Sequence, residues 1–349
     1  MGSSKNVYTS VKAYSKRGKL LAKTDFQTLA ESRDLEELMT RIKNTVYGDA
    51  ISNVQKPYTS QSIESGLRGH LAGAHYSIAK TAGNSDILDA YYMKFIISNL
   101  KQILKGKVLG KSQEEIETHI NLRAEELIKQ RDVIIKALVS KDLEETVASL
   151  NSVQFGDEIS KAASLYNETK NLQVFDTYFD KILYQQLGRA LKNTRDREVI
   201  KLVGMDVDFY NLLSVIRGKF WGLDDSQIED LIVSQTPSVP KELLQRMMAS
   251  ATIRDAFAEL SNTKYKNLIP DVENELDAVA QFERSFEMAI YNSSIRSFTK
   301  MFSFATIIGI TKLTAFEVRN LAAIAYAVEQ KIATDITMSK LIVNSFQND

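Results

Sequence analysis

What most constrains this chain is that it repeats itself. Asp208 to Leu223 reads DFYNLLSVIRGKFWGL, and Phe209, Leu212, Leu213, Ile216 and Phe220 recur at the spacing of one helix face. Gly218 and Gly222 offer ends for that helix, and Arg217 and Lys219 put positive charge where a helix C-terminus favours it. Phe95 to Gly110 is a second version. Asn99-Leu100 stands the same seven residues before Gly106-Lys107 as Asn211-Leu212 does before Gly218-Lys219, and Gly110 falls on Gly222. Glu317 to Lys331 is a third version, which keeps Asn320-Leu321 but neither glycine. The asparagines Asn99, Asn211 and Asn320 lie 112 and 109 residues apart.

Other markers keep the same period. NTVYGDAI from Asn44 returns as SVQFGDEI from Ser152 and as NTKYKNLI from Asn262, so Tyr47, Phe155 and Tyr265 are spaced by 108 and 110 residues. Asp34-Leu35-Glu36-Glu37 returns 108 residues later as Asp142-Leu143-Glu144-Glu145. Glu64, Asp176 and Glu283 each open an amphipathic run, 35, 35 and 37 residues ahead of Asn99, Asn211 and Asn320. Independent markers agreeing on one period imply a threefold internal repeat. A period near 110 exceeds that of ordinary helical solenoids and matches the size of a domain. The boundaries that follow are 1–113, 114–224 and 225–349. Three such units joined head to tail by one kind of interface can close on themselves, which predicts a pseudo-threefold ring or funnel.

The fold class follows from punctuation. Four prolines and fifteen glycines in 349 residues, with almost no period-two alternation, predict an all-α protein. Helices are expected from Tyr8, with Val11, Tyr14 and Leu20-Leu21 on the apolar side, and from Thr24-Asp25. Another runs from Ile63 to Ala82, and one capped by Asp86 runs to Lys105. Ser112 to Ser140 reads as one long charged run that starts in a capping box at Ser112-Gln113-Glu114-Glu115. Thr236 to Pro240 is the most loop-like segment, and the tail from Val343 is expected to fray.

Composition removes several function classes. With no cysteine, disulfides, thiolate catalysis and cysteine metal sites are excluded. Lysine plus arginine equals aspartate plus glutamate at 44 each, so no net charge draws the chain to nucleic acid or anionic lipid. The longest apolar stretch, Met301 to Ile310, is closed by Lys312 and falls short of the roughly 20 residues a bilayer span needs. MGSSKNVYTS lacks the apolar segment of a secretory signal.

Candidate sites are few. Gly106-Lys107-Val108-Leu109-Gly110-Lys111-Ser112 is one residue short of a phosphate-binding loop and follows a helix rather than a strand; a helix end followed by the Ser112 cap explains it. His70 and His75 are five residues apart on a predicted helix, so they do not stack as a zinc pair, and His119 sits among charged residues. Glu64, Asp176 and Glu283 read as acids near helix starts, where the dipole favours them. Asparagine is a poor helix former, so its threefold return at 99, 211 and 320 points to a side-chain hydrogen bond, either to backbone within each unit or to a partner. Arg217, Lys219, Phe220 and Trp221 form a basic-aromatic cluster at a helix end. It fits an interface anchor, since arginine and tryptophan concentrate in hot spots. It equally fits a helix cap with Trp221 in the core. No catalytic, cofactor or metal set emerges.

The tripled Asn-Leu helix, with Arg217-Gly218-Lys219 and Gly222 in its middle copy, resembles the C-type stalk protein of the archaeal and bacterial A/V-type ATP synthases, the counterpart of the eukaryotic d protein. Leu20-Leu21, Asn44 to Tyr47 and the run Phe175 to Leu187 are similar to that family as well, so the resemblance covers nearly the whole chain. Two features depart from it: Ala322 to Ala327 stands where a Gly-Lys pair is usual, and Thr236 to Pro240 lacks the expected Gly-Gly. The resemblance implies an all-helical protein of three similar domains about a pseudo-threefold axis. It implies a non-catalytic central-stalk connector without cofactor, peripheral on the cytoplasmic face of the membrane. Its partners would be the central-shaft subunits and the membrane proteolipid ring, with torque passing between them and no nucleic acid or membrane span involved. The competing reading is a helical scaffold unrelated to rotary ATPases, and a third is an enzyme using the Gly106 to Ser112 loop.

Overall fold

A computed structural model describes residues 3–83, 85–151, 155–234, 238–301 and 303–343. Among these residues the regular structure is helical, with no strand. The helices are α1 (Ser3–Arg17), α2 (Lys23–Ala30), α3 (Leu35–Lys43), α4 (Ser60–Ala82), α5 (Asp86–Val108), α6 (Gln113–Glu117), α7 (Arg123–Leu127), α8 (Arg131–Val139) and α9 (Leu143–Leu150). There follow α10 (Gly156–Thr169), α11 (Gln173–Lys192), α12 (Arg197–Phe220), α13 (Asp225–Leu231), α14 (Lys241–Ala249), α15 (Ile253–Ala258), α16 (Glu275–Arg296), α17 (Phe304–Glu329) and α18 (Thr334–Lys340). The Ser152-Val153-Gln154 part of the second marker, Asn84, Thr236-Pro237 and the tail beyond Val343 lie outside the described residues.

Helix starts explain several repeated motifs. Asp34 Oδ1 accepts from the Glu37 N–H at 2.9 Å at the head of α3, and Asp142 Oδ1 accepts from the Glu145 N–H at 3.0 Å at the head of α9. The glutamates return the contact, accepting from the Arg33 and Lys141 N–H groups at 3.0 and 2.7 Å. The repeated Asp-Leu-Glu-Glu is thus an N-terminal cap used twice. Ser112 and Glu115 form the expected capping box on α6. The cap of α5 is Ser85, one residue before the expected Asp86, which lies in the first turn instead.

Two readings along the chain are corrected. The run from Ser112 to Ser140 is three short helices rather than one, broken after Glu117 and at Lys129, whose φ is 61°. The predicted apolar side of the first helix is not its buried side: Val11 is 56% exposed, whereas Thr9, Ser10 and Ala13 are buried. α1 packs on α4, and small inward residues permit a close approach there.

The chain forms two compact units, Met1–Phe179 with Leu313–Asp349, and Asp180–Lys312. In the first, Phe26, Leu38, Ile42 and Ile63 share one apolar core with Leu321, Ile324 and Leu341. Residues from the two ends of the sequence therefore complete a single core. In the second, α12 packs along α16, and Phe209 stacks on Phe286 with ring centroids 4.7 Å apart. Phe282 and Phe286 are fully buried there.

Candidate partner interface

Asn99, Asn211 and Asn320 lie in α5, α12 and α17 and are buried. Each makes the same pair of bonds to the N–H and C=O of the residue 22 positions further on. Asn99 Nδ2 donates to the Asn121 carbonyl at 2.7 Å, and Oδ1 accepts from the Asn121 N–H at 3.2 Å. For Asn211 and Val233 the distances are 3.0 and 2.8 Å. For Asn320 and Ile342 they are 2.8 and 3.1 Å. A side-chain amide carries one donor and one acceptor edge, so it can satisfy both the N–H and the C=O of one residue. That accounts for asparagine inside a long helix despite its poor propensity. In the first copy Nδ2 also donates to Oε1 of the buried Glu125 at 2.8 Å, and burial raises the Glu125 carboxyl above the usual range.

The three helices end alike. The N–H groups of Lys111, Leu223 and Ile332 donate to the carbonyls of Gly106, Gly218 and Ala327, at 2.9 Å in each case. Gly110 and Gly222 at these ends have φ of 66° and 71°, the left-handed conformation of a helix stop. In the third copy Lys331 takes that conformation, with φ 56°, although the glycine is gone. Gly106 and Gly218 have a different role: a Cβ on either would stand 2.6 Å from Ile116 or Ile228 on the next helix.

The charges beside these ends are engaged. Lys107 Nζ donates to the Leu138 and Ser140 carbonyls, and Lys219 Nζ donates to those of Met248 and Ser250. These oxygens close α8 and α14, where carbonyls lack helical partners and a cation is favoured. Lys331 Nζ donates to the Arg33 carbonyl at 2.6 Å. Two further contacts pair the base six residues past the asparagine with a repeated acid: Lys105 with Asp176 at 3.0 Å, and Arg217 with Glu283 at 2.8 Å. At the third such end Glu329 accepts from the Ser60 N–H at 3.0 Å and from its hydroxyl, at the head of α4. The helix-start reading fails for Glu283, which is the ninth residue of α16 and is held by Arg217.

Of the basic-aromatic cluster, Arg217 and Lys219 are therefore spent inside their own unit. Phe220 and Trp221 are 38% and 55% exposed at the end of α12. Leu109, the counterpart of Trp221 at the end of α5, is 56% exposed.

One position near the asparagines was not singled out from sequence. Three residues before them stand Ile96, Asp208 and Glu317. Asp208 Oδ2 accepts from the Tyr265 hydroxyl at 2.6 Å, and the Lys264 ammonium lies 3.3 Å away. Glu317 accepts from the Tyr47 hydroxyl and from the Leu21 N–H. The tyrosines are two of the repeat markers; the third marker, Phe155, and the third position before an asparagine, Ile96, are both apolar. The signal available in the sequence was this matched loss of both polar members.

The histidines do not assemble. His75 is buried, its Nε2 lies 3.0 Å from the Leu88 carbonyl, and burial depresses its pKa to about 3. His70 stands edge-on to Tyr47 at 5.5 Å, and His119 is exposed with Nδ1 3.0 Å from Gln61 Nε2. Among the described residues no group of three His, Asp or Glu side chains could hold a metal, and no helix is long and apolar enough to cross a membrane. The first unit has a groove of about 1350 Å³ beside Gly66, Gly69 and Gly73 of α4, edged by Lys16, Asp49, His70 and Arg123.

The model of the family described as ATP synthase (C/AC39) subunit matches residues 9–340. The chain is similar to the C protein of the A-type ATP synthase of Methanocaldococcus jannaschii, with 25% identity over 330 residues that cover 91% of this chain and 81% of that one. It is 26% identical to the protein of the same name from Methanothermobacter thermautotrophicus, covering 91% and 82% of the two chains. For Pyrococcus horikoshii the identity is 21%, covering 93% and 86%.

Proposed function

Because the chain belongs to the ATP synthase (C/AC39) subunit family, we propose that it is a non-catalytic connector in the central stalk of an A/V-type ATP synthase. In this reading it joins the rotary shaft to the proteolipid ring on the cytoplasmic face of the membrane and passes torque between them. The observation that carries the proposal is the family match from residue 9 to residue 340. The repeated bracing supports it. A connector must resist twisting, and each asparagine fastens a long helix to a backbone peptide rather than to a mobile side chain. The clasps Lys105–Asp176, Arg217–Glu283 and Glu329–Ser60 join each copy of the asparagine helix to the acid-bearing helix of the next copy, the last returning to the first. Phe220 and Trp221, with their charged neighbours already paired, are the part of the predicted cluster left to meet a partner. Tagged protein recovered from detergent-solubilised membranes should bring down both the shaft subunits and the proteolipid ring. Recovery of neither would overturn the connector role.

A further inference from the structure

The first unit contains a junction between the two ends of the chain that rests on one buried carboxyl group. Glu317 in α17 is 4% exposed and Tyr47 is 2% exposed. The carboxylate accepts from the Tyr47 hydroxyl and from the Leu21 N–H, so a C-terminal helix holds two points of the N-terminal segment. The repeat supplies an internal comparison. At the matching place in the second copy Asp208 has the Lys264 ammonium within 3.3 Å and also accepts from the Ser238 N–H at 3.3 Å. The remaining counterparts, Ile96 three residues before Asn99 and the marker Phe155, are both apolar. Glu317 alone of the two acids has neutral donors only, Leu21 and Tyr47, and a buried carboxylate without a cation is costly in its charged form.

We propose that the Glu317–Tyr47–Leu21 junction is a proton-operated latch, which holds the segment Leu21 to Ile51 against α17 while the carboxyl keeps its proton and loosens when that proton leaves to solvent. Burial, with the negative charge of Asp25 on α2 adding to it, pushes Glu317 up to about 7, while the bonds from Tyr47 and Leu21 pull the other way. Opening the latch hydrates the carboxyl and returns it to the ordinary carboxylate range. Closure is then strongest below that range and weakens as pH rises towards about 7. A second titrating group faces the same tyrosine. His70 on α4 packs against the Tyr47 ring, and burial and Lys16 of α1 lower its pKa while Asp49 partly offsets them. A histidine held neutral acts with the opposite sign: its contribution is present at high pH and is lost as pH falls. The two groups therefore oppose one another in the intact protein, and single variants separate them.

The test is amide hydrogen exchange read by mass spectrometry on the full chain between pH 5 and pH 8, corrected for the intrinsic pH dependence of exchange. The peptides to follow span residues 21–51 and 313–343. In His70→Gln, protection of both should fall as pH rises towards 7, by at most about tenfold per pH unit for one proton. In Glu317→Gln that fall should vanish. If Glu317→Gln does not fold, Tyr47→Phe on the His70→Gln background serves. Loss of one donor raises the carboxyl further, so the fall should shift to higher pH. Equal pH slopes in His70→Gln and Glu317→Gln, or no shift on adding Tyr47→Phe, would overturn the latch.

Discussion

At the scale of single residues the most demanding positions are the three asparagines. Removing the amide of Asn211 leaves the Val233 N–H and carbonyl buried without partners, and each such group costs about 1–3 kcal/mol. Asn211→Leu, similar in size, is expected to destabilise the protein by about 3 kcal/mol in urea unfolding followed by circular dichroism. A loss below about 1 kcal/mol would mean that water satisfies the peptide. The asparagines could be found in the sequence because a poor helix former returned three times on one period. Asp208 and Glu317 escaped notice because their counterpart is Ile96, so no single residue type repeats there. Their meaning lies in the partner tyrosines Tyr265 and Tyr47, which are 57 and 270 residues away in the chain.

Among elements, the helix ends show what a repeat preserves when its sequence drifts. Gly110 and Gly222 supply the left-handed residue, yet Lys331 adopts it without being glycine. The geometry is set by the following helix, which starts at 113, 225 and 334. Gly222→Ala isolates the backbone cost, because nothing lies within 4 Å of the added Cβ. It should lower stability by about 1 kcal/mol, and Gly110→Ala by a similar amount, in the same unfolding assay. Unequal losses would show that the two ends are not equivalent. Helix identity was legible from apolar spacing and from the capping box at Ser112, which acts locally, whereas Asp34 and Asp142 showed only as a repeat whose capping role the structure supplies. The breaks within 112–140 were not legible. Their polar positions suit a helix, and the turn at Lys129 is made by φ of 61° in a residue type that seldom signals one. The exposed face of α1 was missed for a related reason: pattern reading places large apolar residues inward, whereas here close packing on α4 selects Thr9, Ser10 and Ala13.

For the molecule as a whole, the reading of the candidate interface turns on two aromatic residues. Sequence spacing placed Arg217, Lys219, Phe220 and Trp221 together but could not say which would be consumed internally, because Glu283 and the Met248 and Ser250 carbonyls are distant in the chain. With Trp221 55% exposed, Trp221→Ala should change unfolding by no more than about 0.5 kcal/mol. If Phe220 and Trp221 meet the partner, the same variant should weaken recovery of the stalk subunits or the ring in the pull-down. Intact recovery would remove this patch from the interface. The shared core of the first unit carries one more consequence. Phe26, Leu38 and Ile42 are synthesised well before Leu321, Ile324 and Leu341, which cover them. At common synthesis rates that interval is on the order of tens of seconds. A nascent chain must therefore carry an unfinished apolar surface throughout that interval, and chaperone engagement should concentrate on helices α2 and α3 rather than on the segment Asp180–Lys312, whose core is complete as soon as it emerges.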